Sequence, residues 1–264
     1  MRKTDEAFEN RYYIKFSDLD DKKTLRPSRL VDYLQDISMT HSSYGGYDVG
    51  YFKENKTCWI IYHWHLHIYD LPEEEGTPLD VSTWCKQFKR TQANREITVE
   101  SPEGKLYCYA SVRFVLTDTE TRRPKPFTEE WFVPYTFKKE RSYKDEDFKL
   151  PSTPEHDPDD TRVLEVMRSD ADSNGHANNA VYIDWAVNGV PDEIYDNCKL
   201  KDLRITYKKE CLKGAMVRCD EYVNDISEPP ADRPELAGGK QIITVFSSAE
   251  DPKKILSKVS MIWK

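Results

Sequence analysis

From Asp172 to His176 the chain reads Asp-Ser-Asn-Gly-His, placing a carboxylate, an amide and an imidazole at every second residue. In an extended segment, side chains two residues apart project to one side. Asp172, Asn174 and His176 would then supply an orienting charge, a hydrogen-bonding amide and a group that moves protons near neutral pH. That is the outline of a site for attack on a carbonyl. The letters that follow predict a helix over 179–189. Asn178 and Asn179 are candidate N-caps, Val181/Trp185 and Tyr182/Ala186 are i, i+4 pairs, and Gly189 and Pro191 are stop signals. Its first N–H groups, near Asn178 and Asn179, are expected to hold an oxyanion beside His176. The same letters also suit an Asx-rich turn that caps an ordinary helix and does no chemistry.

The elements that must position this stretch fall into two runs. In the first, residues 11–17 read as a strand and 18–26 as a charged turn. Pro27-Ser28 opens a helix with an apolar stripe of Leu30, Val31, Leu34, Ile37 and Ser38, ended by Gly45-Gly46. Strands are expected at 58–69, 79–88, 97–100 and 106–117. Between 127 and 160 four prolines and blocks of charge break the apolar pattern, which reads as a linker. The second run repeats the first: strand 161–168, turn 169–178, the helix, then strands 200–211, 216–222, 241–247 and 256–263. The expected division is therefore 1–126, 127–160 and 161–264.

The repeat shows in letters as well. Ser17-Asp-Leu-Asp20 matches Ser169-Asp-Ala-Asp172 at an offset of 172 − 20 = 152, and Asp32-Tyr33 matches Asp184-Trp185 at the same offset. Ile97-Thr-Val likewise resembles Ile243-Thr-Val. A duplicated unit is the economical account. The copies differ where chemistry would sit, because Lys22 stands at the place of Asn174 and Thr24 at that of His176. One copy is equipped; the other reads as scaffold or substrate wall.

The chain has 264 residues, 38% of them hydrophobic, which is enough for a substantial core in one large or two small domains. Aromatic residues at 12%, among them 16 tyrosines, favour strands over a helical bundle. A net charge of −8 with no long basic run speaks against nucleic acid as a partner. The six cysteines form no Cys-x-x-Cys pair, which fits reduced thiols and a cytoplasmic location. Neither a secretory signal, a transit peptide nor a membrane span is expected.

At this point the residues resemble a known family, the acyl-acyl-carrier-protein (acyl-ACP) thioesterases of plants and bacteria. Its Asp-x-Asn-x-His-x-Asn-Asn-x-x-Tyr-x-x-Trp pattern is complete from Asp172 to Trp185. An aromatic residue, two bases and Glu-Cys stand at Tyr207–Cys211, and Thr-Arg-Arg-Pro at Thr121–Pro124. The resemblance runs from about Tyr12 to Trp263 and implies an α+β fold of two tandem hot-dog units, each a long helix wrapped by an antiparallel sheet. It implies hydrolysis of the thioester that holds a fatty acyl chain on ACP, with no cofactor and no metal. The N-terminal unit would set acyl-chain specificity and the C-terminal unit would be catalytic. Carried over by residue, the catalytic set is Asp172, Asn174, His176 and Glu210, with Cys211 a further candidate. The lack of a transit peptide then implies a bacterial or mature form.

Hydrolysis of a thioester needs an activated water or nucleophile and a held oxyanion, and little help for the thiolate. Glu210 or His176 would deprotonate water and Asp172 would orient the imidazole. Met39 and Trp64 are candidates for chain-length control. Lys86, Lys89, Arg90 and Arg95, with Arg122, Arg123 and Lys125, form basic clusters that would dock an acidic carrier protein or merely balance surface acids. His63, His65 and His67 share one strand face, but at i, i+2, i+4 they spread over ~13 Å. A solvated or partner-facing strand is expected there, not a metal site. Two other functions fit the letters: an acyl-CoA thioesterase, and a non-catalytic acyl-chain or carrier-binding module. The expected assembly extends to a homodimer.

Overall fold

Pro27, whose fixed φ suits the first turn of a helix, opens α1 (Pro27–Tyr44). Leu30, Val31, Leu34 and Ile37 fall on one face, and all four are buried. That face lies on β2 (Phe8–Tyr13) and β4 (Pro78–Lys89). The remaining strands of this unit are β1 (Arg2–Lys3), β3 (Thr57–Ile68), β5 (Gln92–Glu100) and β6 (Leu106–Asp118). They pair antiparallel in the order β1-β2-β4-β5-β6-β3. A short helix, α2 (Val49–Glu54), follows α1, its start capped by the Asp48 carboxylate accepting from the Tyr51 N–H at 2.8 Å.

The computed structural model describes residues 1–3, 7–128, 131, 133, 135, 149–172, 175–230 and 233–264, without the side chains of 2, 3 and 87–89. It divides into two compact units, Met1–Lys144 and Asp145–Lys264. The second unit contains β7 (Asp160–Glu165), α3 (Val181–Val187), α4 (Asp192–Asn197), β8 (Leu200–Tyr207), β9 (Met216–Asp225), β10 (Lys240–Ser248) and β11 (Ile255–Trp263). Its strands pair antiparallel in the order β7-β9-β10-β11-β8. This is the order β2-β4-β5-β6-β3 of the first unit, element for element. The duplication read from short strings is thus present in the topology.

The wrapped helix is long only in the first unit. In the second, seven-residue α3 ends before Gly189-Val-Pro191, and α4 starts anew. Arg162 of β7 explains the stop. Its guanidinium donates to the carbonyls of Trp185 (3.1 Å) and Asn188 (3.0 Å) and is ion-paired with buried Glu221 of β9 at 2.6 Å. Those helix-end carbonyls find their donors there. A Cβ on Gly189 would stand 1.4 Å from Glu221 Oε1, so only glycine lets the helix end come this close to the sheet.

The expected first strand is displaced, since β2 ends at Tyr13 and Phe16–Asp18 is a 3-10 turn. Helices α2 and α4 were not expected: six residues are too few for a helical period to show. The histidine strand is not solvated. His63, His65 and His67 are buried, because every residue of the second half of β3 is covered on both faces. The His65 and His67 rings meet edge to face at 4.7 Å. No described helix is long and apolar enough to cross a membrane.

Candidate functional site

The stretch before α3 is a turn pinned by two aspartates. The Met167 N–H donates to Asp170 Oδ2 (2.8 Å), and the Asn178 N–H to the Asp170 carbonyl (2.8 Å). Inside that frame the Asp172 N–H donates to the His176 carbonyl (2.7 Å) and the Gly175 N–H to the Asp172 carbonyl (3.0 Å). The His176 N–H donates to Asp172 Oδ1 (3.1 Å). Gly175 takes φ +78°, the left-handed value the reversal requires.

All five bonds recur 152 residues earlier. The Lys15 N–H donates to Asp18 Oδ2 (2.9 Å), the Arg26 N–H to the Asp18 carbonyl (2.9 Å) and the Asp20 N–H to the Thr24 carbonyl (2.9 Å). The Lys23 N–H donates to the Asp20 carbonyl (3.1 Å) and the Thr24 N–H to Asp20 Oδ1 (2.8 Å). Lys23 occupies the place of Gly175 with φ +64°. Asp20 therefore does for Thr24 what Asp172 does for His176: its carboxylate holds the peptide that carries the next side chain. The turn is common property, and the second copy adds the imidazole.

The chain leaving β8 brings the carboxylate. The Ala177 N–H donates to the Cys211 carbonyl (2.8 Å) and the Lys213 N–H to the Gly175 carbonyl (3.1 Å), so 211–213 runs beside the turn. Glu210 Oε2 then stands 3.5 Å from His176 Nε2. The Glu210 side chain is 45% exposed and that of His176 22%, open enough for water and substrate. In the first unit the Leu25 N–H donates to the Pro72 carbonyl (2.9 Å), which makes Pro72 the counterpart of Cys211 and Leu71 that of Glu210. That copy lacks both the imidazole and the acid.

Cys211 faces the other way and is buried. Burial pushes its thiol above the ordinary value, against the pull of Lys254, with the Tyr182 hydroxyl beside it. A thiol held protonated is a poor nucleophile. Tyr207 ties the end of β8 to the site, its hydroxyl donating to the Asn179 carbonyl (2.8 Å).

The oxyanion expectation needs correction at Asn178. Its N–H is spent on Asp170, as that of Arg26 is on Asp18, and its side chain caps the Ala180 N–H at 3.0 Å. The helix proper starts only at Val181 and is too short for a strong dipole. Asn174 lies outside the described residues. Of the basic cluster, Arg90, Arg122 and Arg123 are exposed. Lys86 is not a docking residue, because its buried ammonium is paired with Glu96 at 2.9 Å. Arg95 is buried as well, and the Lys89 side chain lies outside the description.

The first unit holds a pocket, open in part to solvent, walled by Met39, Trp59, Ala93 and Phe114 and including Arg95 and Tyr135. Half-exposed Met39 stands among its lining residues. Fully buried Trp64 does not, so of the two chain-length candidates only Met39 reaches it. Composition gave no sign of this pocket, since its walls come from α1, β3, β4, β5 and β6 together.

Two units, each with antiparallel strands laid on a helix and each repeating the other's strand order, define a double hot-dog protein. The chain belongs to the acyl-ACP thioesterase family: residues 5–135 match the acyl-ACP thioesterase N-terminal domain and residues 155–242 the C-terminal domain. Oleoyl-acyl carrier protein thioesterase 1 of Arabidopsis thaliana is 24% identical over 230 residues, 80% of this chain and 62% of that protein. The palmitoyl-acyl carrier protein thioesterase of Cuphea hookeriana is 23% identical over 222 residues, 80% of this chain and 53% of that one. The chain thus spans less than two thirds of the length of these chloroplastic relatives. In fold it is similar to an acyl-ACP thioesterase from Bacteroides thetaiotaomicron, with a TM-score of 0.80, 18% identity and 98% of each chain covered. The 12:0-ACP thioesterase of Umbellularia californica gives 0.81 at 18% identity, covering 98% of this chain and 94% of that one.

Proposed function

We propose that the chain hydrolyses the thioester of a fatty acyl chain carried on acyl carrier protein, releasing a free fatty acid and the carrier's thiol. The observation that carries this reading is the His176–Glu210 pair, 3.5 Å apart, present in one of two turns that share their backbone hydrogen bonds. Glu210 takes a proton from water as the oxygen attacks the thioester carbonyl, and His176 orients that water and relays the same proton from Glu210 to the departing thiolate. Asp172 acts through the peptide of His176, fixing where the ring stands. Asn174 is assigned to the same set by the family pattern and would position the thioester. The pocket of the first unit receives the acyl tail, with Met39 as a chain-length residue.

Docking of the carrier is assigned to Arg90, Arg122 and Arg123. Arg90 and Arg122 each sit at a turn with positive φ, and the segment that follows the Arg122 turn runs back to the first, where the Phe127 N–H donates to the Arg90 carbonyl at 3.2 Å. Exposed arginines on these two turns offer an acidic partner its counter-charge.

The test is release of free fatty acid from a panel of acyl-ACPs and from acyl-CoAs bearing the same chains. The expected result is turnover of acyl-ACP with a KM that rises several-fold as salt goes from about 0.05 to 0.5 M while kcat holds, since exposed charges are then screened. Faster, salt-indifferent turnover of acyl-CoA would make CoA the carrier. No release from either would leave only a binding module.

A further inference from the structure

Arg95 and Glu96 are neighbours on β5, so the pleat sends them to opposite faces, and both are buried, at 5% and 0% exposure. Glu96 is answered. Lys86 Nζ stands 2.9 Å from its carboxylate, and the hydroxyls of Tyr109 and Ser111 donate to it at 2.7 and 3.0 Å. Arg95 has no carboxylate partner among the described residues. It donates through Nη1 to His41 Nδ1 (2.8 Å) and Thr83 Oγ1 (3.3 Å), and its Cζ lies 5.5 Å from the centre of the Tyr135 ring. A guanidinium only donates, so the acceptor nitrogen of His41 is unprotonated and that ring brings no negative charge.

Arg95 is thus a full positive charge, nineteen-twentieths buried, whose protein partners are all neutral. Burying a charge is costly unless an opposite charge meets it. Its place in the fold shows where one would come from, because Arg95 lines the pocket whose other walls are Met39, Trp59, Ala93 and Phe114. The hydroxyls in that lining do not compete for it: the Tyr135 hydroxyl donates to Ser42 Oγ at 3.1 Å. Both of the guanidinium's hydrogen bonds use Nη1, and its Nε–H and Nη2–H make the parallel fork that suits a carboxylate.

We infer that this pocket takes acyl tails bearing a carboxylate, with Arg95 as the residue that selects them over plain alkyl chains. The inference rests on the thioesterase reading given above and names its substrate class. An apolar wall with one buried cation holds the methylenes by contact and the tail oxygen by a charge-assisted pair. A plain alkyl end brings no partner to the guanidinium, and a hydroxyl brings a weaker one.

The experiment compares kcat/KM for three acyl-ACPs of one chain length, with a methyl, a hydroxyl or a carboxylate at the far end of the chain. The wild-type chain is expected to favour the carboxylate over the methyl end by roughly tenfold or more, with the hydroxyl between them. Arg95→Met is expected to reverse that order, and Arg95→Lys to restore part of it. A wild-type preference for the methyl end overturns the inference while leaving the thioesterase reading intact, and this holds even where Arg95→Met fails to fold. If no acyl-ACP is turned over, the thioesterase reading fails, and calorimetry with decanoate and decanol decides the pocket by itself. Decanoate is expected to bind roughly tenfold tighter, an advantage lost in Arg95→Met; equal binding of the two makes Arg95 an internal strut.

Discussion

His176→Thr is expected to leave a folded chain that hydrolyses acyl-ACP about a thousandfold more slowly, the loss that removal of a positioned proton-transfer group commonly brings. Threonine is the residue that the first copy carries at this place. There Thr24 supports the same turn with the same bonds, through its N–H and carbonyl, and those belong to the backbone. The imidazole adds nothing to the frame that threonine lacks. Circular dichroism and thermal unfolding of the variant should therefore match the wild type while fatty acid release falls away. Near wild-type turnover in His176→Thr would remove the imidazole from the chemistry.

The second large effect separates Glu210 from Cys211. Glu210→Ala is expected to lose roughly a hundredfold to ten-thousandfold in kcat, because the carboxylate that takes the proton from water is gone. Cys211→Ala and Cys211→Ser should stay within about tenfold of wild type, the small loss reflecting disturbed packing against Tyr182. The geometry gives the reason. Glu210 faces His176 at 3.5 Å from a half-exposed position, whereas Cys211 is buried with its thiol pushed up by that burial. A nucleophilic cysteine needs a site that favours the thiolate, and this one disfavours it. An acyl group found on Cys211 by mass spectrometry after rapid quenching would reverse the assignment.

What was legible in the sequence was whatever a local period or a repeated string can write. The stripe from Leu30 to Ile37 gave α1, and the Ser-Asp-x-Asp string at 17–20 and 169–172 gave the duplication, which proves to be a repeat of backbone hydrogen bonds. What was not legible depends on partners far along the chain. Lys86 and Arg95 read as surface charge because a sequence does not show that Glu96 and the pocket lie within reach of them. The availability of the Asn178 N–H was hidden for the same reason, since it is decided by closure of the turn onto Asp170. The approach of Glu210 to His176 across 210 − 176 = 34 residues was reached only through family resemblance. In the structure it follows from the pairing of 211–213 with the turn.

Two turns of one design carry different side chains, His176 with Glu210 in one and Thr24 with Leu71 in the other, and the difference in chemistry is proposed to follow from that. The most direct measurement is kcat for acyl-ACP hydrolysis by two double variants made at equivalent places, Thr24→Val with Leu71→Met and His176→Ala with Glu210→Ala. The first is expected to stay within a few-fold of the wild type and the second to fall to the rate of the uncatalysed mixture. Loss of turnover in the first pair with the fold intact, or its survival in the second, would contradict the account.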